Sequence, residues 1–239
     1  MKTFMLLGFL CIIFIGELGF CLHKGLGPIK LFETEQTQTF SIQCTHAQLT
    51  DAGKTAIVNA HNKLRSTLAQ GKYNISGDIR RAATNMKMIG WNDDLAIKAY
   101  RSIYQCPSNI ARPNPAETGC NIRVVDAVGT QVADDYAKEA VAFWEKQFQD
   151  KGWPVNNTIT TDLASQGLAE ATQMAFSLTG AMGCGVQKCG SKVATVCYYK
   201  YPLVNNNKVY EMGTTCSRCP DFHVCNQPTG LCAYQQVGK

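Results

Sequence analysis

Seven cysteines fall between residues 184 and 232, and only Cys44, Cys106 and Cys120 lie between residue 22 and that cluster. If they pair, the C-terminal part of the chain is confined to short covalent loops. Pairing depends on the compartment, and the N-terminus speaks to that. Lys2 is followed by an apolar run from Thr3 to Ile15. That run is too short for a membrane span of ~20 residues and suits a secretory signal peptide. Gly19 and Cys21 place cleavage after residue 21, which removes Cys11 and Cys21 and leaves an even number of cysteines. The expectation is a secreted, extracellular protein with a signal peptide at 1–21 and no transmembrane anchor.

In that setting Cys44, Cys106, Cys120, Cys184, Cys189, Cys197, Cys216, Cys219, Cys225 and Cys232 are all expected in disulfides, with the pairings left open. Cys216 and Cys219 with Cys225 and Cys232 have the spacing of a zinc knuckle, but oxidation is the expected outcome outside the cell. Cys120 is likewise expected in a structural disulfide rather than as a nucleophile. The chain of 239 residues is 45% hydrophobic, enough for a core of its own, so the disulfides staple a domain rather than replace one. Asn74-Ile75-Ser76 and Asn156-Asn157-Thr158 are sequons that place surface loops, and glycans, at Asn74 and Asn156.

Residues 22–43 lack periodicity and read as an extended N-terminal arm. Thr50 and Asp51 then offer a cap, Gly71 a stop, and Ile57, His61, Leu64 and Leu68 a single helical stripe. Asn92 with Asp93 and Asp94 starts a second helix whose inner face is Leu95, Ala99 and Ile103, stopped by Pro107. Residues 107–130 read as a long irregular connection. A third helix spans roughly Asp134 to Phe148, with Tyr136, Ala140, Phe143, Trp144 and Phe148 inward, and a short fourth covers Glu170 to Leu178. Strand signals come late: Val193–Tyr201 is β-branched and aromatic, and Lys208–Met212 is expected to pair with it. The class is α+β, with a small antiparallel sheet between helices.

Five segments in order carry a resemblance. They are HNKLRS (61–66), MKMIGWNDDLAIKA (86–99), ATQMAF (171–176) with GCGV (183–186), CYYKYP (197–202) and YEMGTTCSRCP (210–220). The chain resembles the cysteine-rich secretory, antigen-5 and pathogenesis-related (CAP) superfamily, and within it the activation-associated secreted, venom-allergen-like proteins of nematodes. The resemblance implies a three-layer αβα sandwich, the CAP domain, over 44–209, and a cysteine-rich, hinge-like tail over 210–239. It also implies a cleft where many members carry two His and two Glu, the His pair able to hold a divalent metal. Each of those positions departs from the pattern here. Cys120 stands for one Glu, Gln147 for the other, Glu170 for one His, and Ser108 to Ile110 hold no His for the second.

Neutral imidazoles suit zinc, whereas a lone carboxylate among amide and thiol groups does not, so no metal and no cofactor is expected. His61, between Ile57 and Leu64, reads as a core histidine rather than a base. The net charge of +5 is spread out, with Arg80-Arg81 the one basic doublet, which argues against nucleic acid as a partner. The resemblance implies a non-catalytic binding protein in host interaction and immune modulation. A host protein or a small apolar ligand (sterol or fatty acid) is its expected partner, and the chain is expected to be a monomer or weak dimer. The alternatives are a hydrolase acting through the cleft, with Ser165, Thr172 or Ser177 as hydroxyl, and recognition through the cysteine-rich tail.

Overall fold

A computed structural model describes residues 49–235 of the chain. The expected signal peptide, the 22–43 arm, Cys44, His23 and His46 lie outside the described residues. Helix α1 (Asp51–Ala69) begins where Thr50 accepts a hydrogen bond from the Gly53 N–H at 3.0 Å, relieving one orphan donor of the first turn. It ends at Gly71, whose φ of 65° is the left-handed conformation glycine adopts without strain. Its expected stripe, Ile57, His61, Leu64 and Leu68, is fully buried.

Two two-residue strands follow, β1 (Asn74–Ile75) and β2 (Asp78–Ile79), and then β3 (Gly90–Trp91). The Asn92 side chain accepts from the Leu95 N–H and starts α2 (Asp93–Arg101), which ends well before Pro107. After β4 (Gly119–Asp126) come α3 (Ala133–Lys151), α4 (Ala169–Ala175), β5 (Ala181–Cys189) and β6 (Lys192–Tyr199). A final hairpin pairs β7 (His223–Asn226) with β8 (Leu231–Tyr234).

The central sheet has the order β3-β5-β6-β4, with β3 parallel to β5 and the other pairs antiparallel. Helices α1, α3 and α4 cover one face and α2 the other, so the layers are α, β, α. The glycines of β5 explain the close seat of α2. A Cβ at Gly183 would lie 2.2 Å from the Ala96 nitrogen, and one at Gly185 would lie 2.6 Å from the Tyr100 Cα. Backbone therefore rests on backbone there.

Several expectations need correction. Residues 107–130 are not all irregular, since β4 lies within them. Lys208–Met212 does not pair with β6, because β5 and β4 already occupy both of its edges. That segment bridges elsewhere, Lys208 to Thr158 and Met212 to Ala83. Phe143 is not inward: it is 49% exposed, next to the stripe of Ala137, Ala140, Val141, Trp144 and Phe148 but off it. The Arg123 guanidinium lies 3.8 Å from the centre of its ring.

Four disulfides are formed among the described residues: Cys106–Cys189, Cys184–Cys197, Cys216–Cys225 and Cys219–Cys232. Cys184 and Cys197 face each other directly across β5 and β6. The last two staple the tail, which also joins the helical layer. Cys232 receives the Met88 N–H and donates its own N–H to Met86, and Leu231 lies in the main core. Cys120 departs from expectation, because among the described residues its thiol is free. It stands on β4 opposite Tyr198, while the neighbouring cysteines of β5 and β6 are spent on each other and on Cys106.

Candidate functional site

The start of β4, the loop at 107–112, the last turns of α3 and the first turn of α4 converge on one cleft. Glu170 on α4 accepts a hydrogen bond from Gln147 Nε2 at 3.1 Å. Gln147 in turn accepts from the Ala171 N–H at 3.0 Å, satisfying one of the amides that a helix start leaves free. Arg112 reaches in from the loop, with Nη1 donating to the Cys120 carbonyl at 3.0 Å and Nη2 3.7 Å from Glu170 Oε1. Gln147 and Glu170 are thus brought together, and Arg112 ties them to the Cys120 backbone, whose side chain packs on the α2 side of the sheet. Nothing in its sequence neighbourhood marks Arg112, because its partners come from β4 and α4.

Behind this group a buried relay fixes the only described imidazole of the core. His61 Nδ1 lies 2.9 Å from the Ile57 carbonyl, which can only accept, so Nδ1 carries the proton. Nε2 then accepts from the Tyr199 hydroxyl at 2.9 Å, and that hydroxyl accepts from Asn121 Nδ2 at 3.2 Å. Asn121 also donates to the Glu170 carbonyl, and its own Oδ1 has no partner among the described residues. Burial above all holds the His61 pKa down to about 4, and it holds Tyr199 well above the ordinary phenol range. The Cys120 thiol is pushed up to about 12, again chiefly by burial, with the nearby Arg112 pulling the other way. At neutral pH the thiol on the α2 side is therefore protonated, and the relay behind the cleft is a neutral imidazole whose lone pair is engaged by a phenol.

The hydroxyls considered for hydrolysis are not assembled around a base. Ser165 donates to the Asp162 carbonyl and Thr172 to the Leu168 carbonyl, and Ser177 is buried with its own carbonyl accepting from Arg65. On the α2 face a cavity of ≈ 600 Å³ adjoins the cleft, lined by Ser108, Asn109, Ile110 and Arg112 on one side and by Ile122, Val124 and Ala194 of the sheet on the other. Among the described residues no helix is long and apolar enough to cross a membrane.

The chain belongs to a known family of disulfide-stapled αβα sandwiches. The model of the cysteine-rich secretory protein (CAP) family matches residues 58–199. The chain is 29% identical over 195 residues to a cysteine-rich venom protein of Tityus serrulatus, covering 77% of this chain and 47% of that protein. It is 24% identical over 195 residues to Ancylostoma secreted protein of Ancylostoma caninum, covering 79% and 44%. The chain thus spans about half the length of these curated relatives. The crystal structure of NaASP2 with Zn2+ superposes with a TM-score of 0.70 at 26% identity, over 77% of this chain and 97% of that one. The donors in this cleft do not fit such an ion. Among the described residues they are one carboxylate already shared by an amide and a guanidinium, with no imidazole beside it and the nearby thiol protonated and turned to the α2 side.

Proposed function

We propose that this chain is a secreted, non-catalytic CAP binding protein of nematode type, acting in host interaction and immune modulation, with a small apolar molecule such as a sterol or fatty acid as cargo. The observation that carries the reading is the state of the cleft. Cys120, Gln147 and Glu170 stand where the family's charged tetrad is expected, and the one carboxylate is tied to Gln147 and Arg112 rather than poised over a nucleophile. Fewer charged groups lower the desolvation cost for an apolar guest. Secretion is supported by the N-terminal segment and by the four disulfides, which need an oxidising compartment. Asn74 and Asn156, both exposed, are proposed as its glycan sites.

Native and denaturing mass spectra of protein secreted from a eukaryotic host test the reading. A lipid-sized excess in the native spectrum is expected, together with glycan mass that disappears in Asn74→Gln and Asn156→Gln. Zinc mass in its place overturns the claim about the cleft. Glu170→Ala is expected to leave cargo intact and to change stability by about 1 kcal/mol or less, since Arg112 is largely exposed. A hydrolytic turnover lost in that variant would establish the enzyme reading instead.

One observation favours a second reading, recognition through the tail. Phe222 is 71% exposed and has a φ of 61°, a conformation unfavourable for an aromatic residue, on a frame held by two disulfides. Phe222→Ser then abolishes capture of a host protein while leaving the cargo in place. Unchanged capture removes this reading.

A further inference from the structure

We infer that β4 is the seam of a homodimer, in which its open edge pairs antiparallel with the same edge of a second copy about a two-fold axis at Val124. The strand ends the sheet, and among the described residues no backbone group pairs with its outer side. The strand lacks several of the usual guards of a free edge, and its two charged side chains are engaged within the chain, Arg123 on the Phe143 ring and Asp126 with Lys192. It contains no proline and no lysine, and its register with β6 runs unbroken from Gly119 to Asp126.

The hydrogen bonds at its two ends show which residues face outward. The Ala127 N–H continues the ladder toward β6 by donating to the Ser191 carbonyl, whereas the Cys120 carbonyl accepts from Arg112 on the other side. Antiparallel ladders alternate residue by residue. Asn121, Arg123 and Val125 therefore bond β6, and the N–H and C=O groups of Ile122, Val124 and Asp126 point away from the sheet.

That alternation selects the register. A two-fold axis perpendicular to the sheet sets one residue opposite its own copy, and the closest hydrogen-bonded pairing requires an outward-facing residue there. An axis at Ile122 would draw on Cys120, whose carbonyl Arg112 already holds. An axis at Val124 sets Ile122 against the second copy's Asp126 and leaves the Cys120–Arg112 contact intact. It also sets Arg123 against Val125, so two like charges do not meet. This pairing forms about six backbone hydrogen bonds. Exposed apolar groups flank the edge on both faces: Val124, 51% exposed, on the α2 side, and Phe143 beside Arg123 on the α3 side.

Sedimentation of the full secreted chain across a concentration series is the test. A reversible dimer is expected. Val124→Pro removes only the outward N–H, which β6 does not use, and is expected to weaken association at least about tenfold with little change in the monomer's thermal midpoint. In a Cys120→Ser background, Val124→Cys with oxidised glutathione is expected to give a covalent dimer. The two introduced thiols form the bond, and their electrons and protons pass to the glutathione disulfide. A wild-type chain that stays monomeric overturns the proposal, as does a Val124→Pro dimer of undiminished affinity. A Val124→Pro chain with a lowered midpoint and unchanged association also overturns it, by assigning the edge to a segment of the same chain.

Discussion

Arg65→Met is expected to destabilise the protein by about 3–5 kcal/mol, the range in which an uncompensated break in a buried charge network falls. Arg65 is fully buried, and among the described residues no carboxylate pairs with it. Its guanidinium instead donates to five backbone carbonyls: Lys87 through both Nε and Nη2, Met174 and Phe176 through Nη1, and Ser177 and Thr179 through Nη2. Lys87 precedes β3, and the other four run from the end of α4 toward β5. One side chain of α1 thus ties down both connectors that feed neighbouring strands of the sheet. Burial lowers its pKa to about 9, so the charge persists at neutral pH and the carbonyl dipoles are what balance it. Methionine fills the volume but leaves the Lys87, Met174 and Thr179 carbonyls without that donor in a place water does not reach, while Phe176 and Ser177 keep the Thr179 and Lys87 N–H groups. Arg65→Lys keeps the charge with three donors on a different stem, so it is expected to recover part of the loss and no more. Urea titration of the oxidised proteins reads the difference. An Arg65→Met midpoint within about 1 kcal/mol of wild type would mean that the carbonyls find other partners and that the cage is not a structural keystone.

The same residue shows how far the sequence can be read. HNKLRS is recognisable as a motif, and the caps at Thr50 and Asn92 are where the side-chain chemistry places them. The carbonyls that Arg65 gathers are not legible, because backbone acceptors leave no mark on residue type. β4 and β5 escape a sequence reading for related reasons. β5 carries glycines where α2 must lie close, which erases its strand propensity. In β4 both faces are half-covered, so Asn121 and Arg123 on one and Cys120 on the other blur the alternation that identifies a strand. Phe143 is expected inward because aromatic residues usually are, yet its neighbour Trp144 takes the buried position and Arg123 stacks on its exposed ring. In the cleft, Cys120, Gln147 and Glu170 are reachable by matching motifs. Arg112 is not, because a loop residue that meets β4 and α4 only in the folded chain has no spacing to betray it.

Stability is expected to fall as the pH drops from about 6.5 toward 4, by as much as about 3 kcal/mol from His61 alone. The folded-state pKa of His61 is held to about 4, below its ordinary value of 6.5, chiefly by complete burial. The Ile57 carbonyl pushes upward and the nearby Arg65 charge downward. A group whose pKa is lower folded than unfolded takes up its proton first in the unfolded chain. Its contribution is therefore whole above 6.5 and shrinks as the pH falls through the window to 4. The relay explains the resistance in atomic detail. A proton added at Nε2 would face the Tyr199 hydroxyl hydrogen, and that hydroxyl would have to turn while still accepting from Asn121. Glu145 works in the opposite direction, because burial raises its pKa, so the raw pH curve is not the measure. The measure is the difference between wild type and His61→Gln, from denaturant midpoints taken at several values from pH 7 to pH 4. A glutamine side chain has no proton to gain, so the two curves should converge as the pH falls. Parallel curves would mean that His61 titrates alike in both states. A histidine poised near neutrality could act as a base, whereas one held at about 4 with both nitrogens engaged is a structural strut. The convergence thus separates a working cleft from a binding frame without any assumption about the ligand.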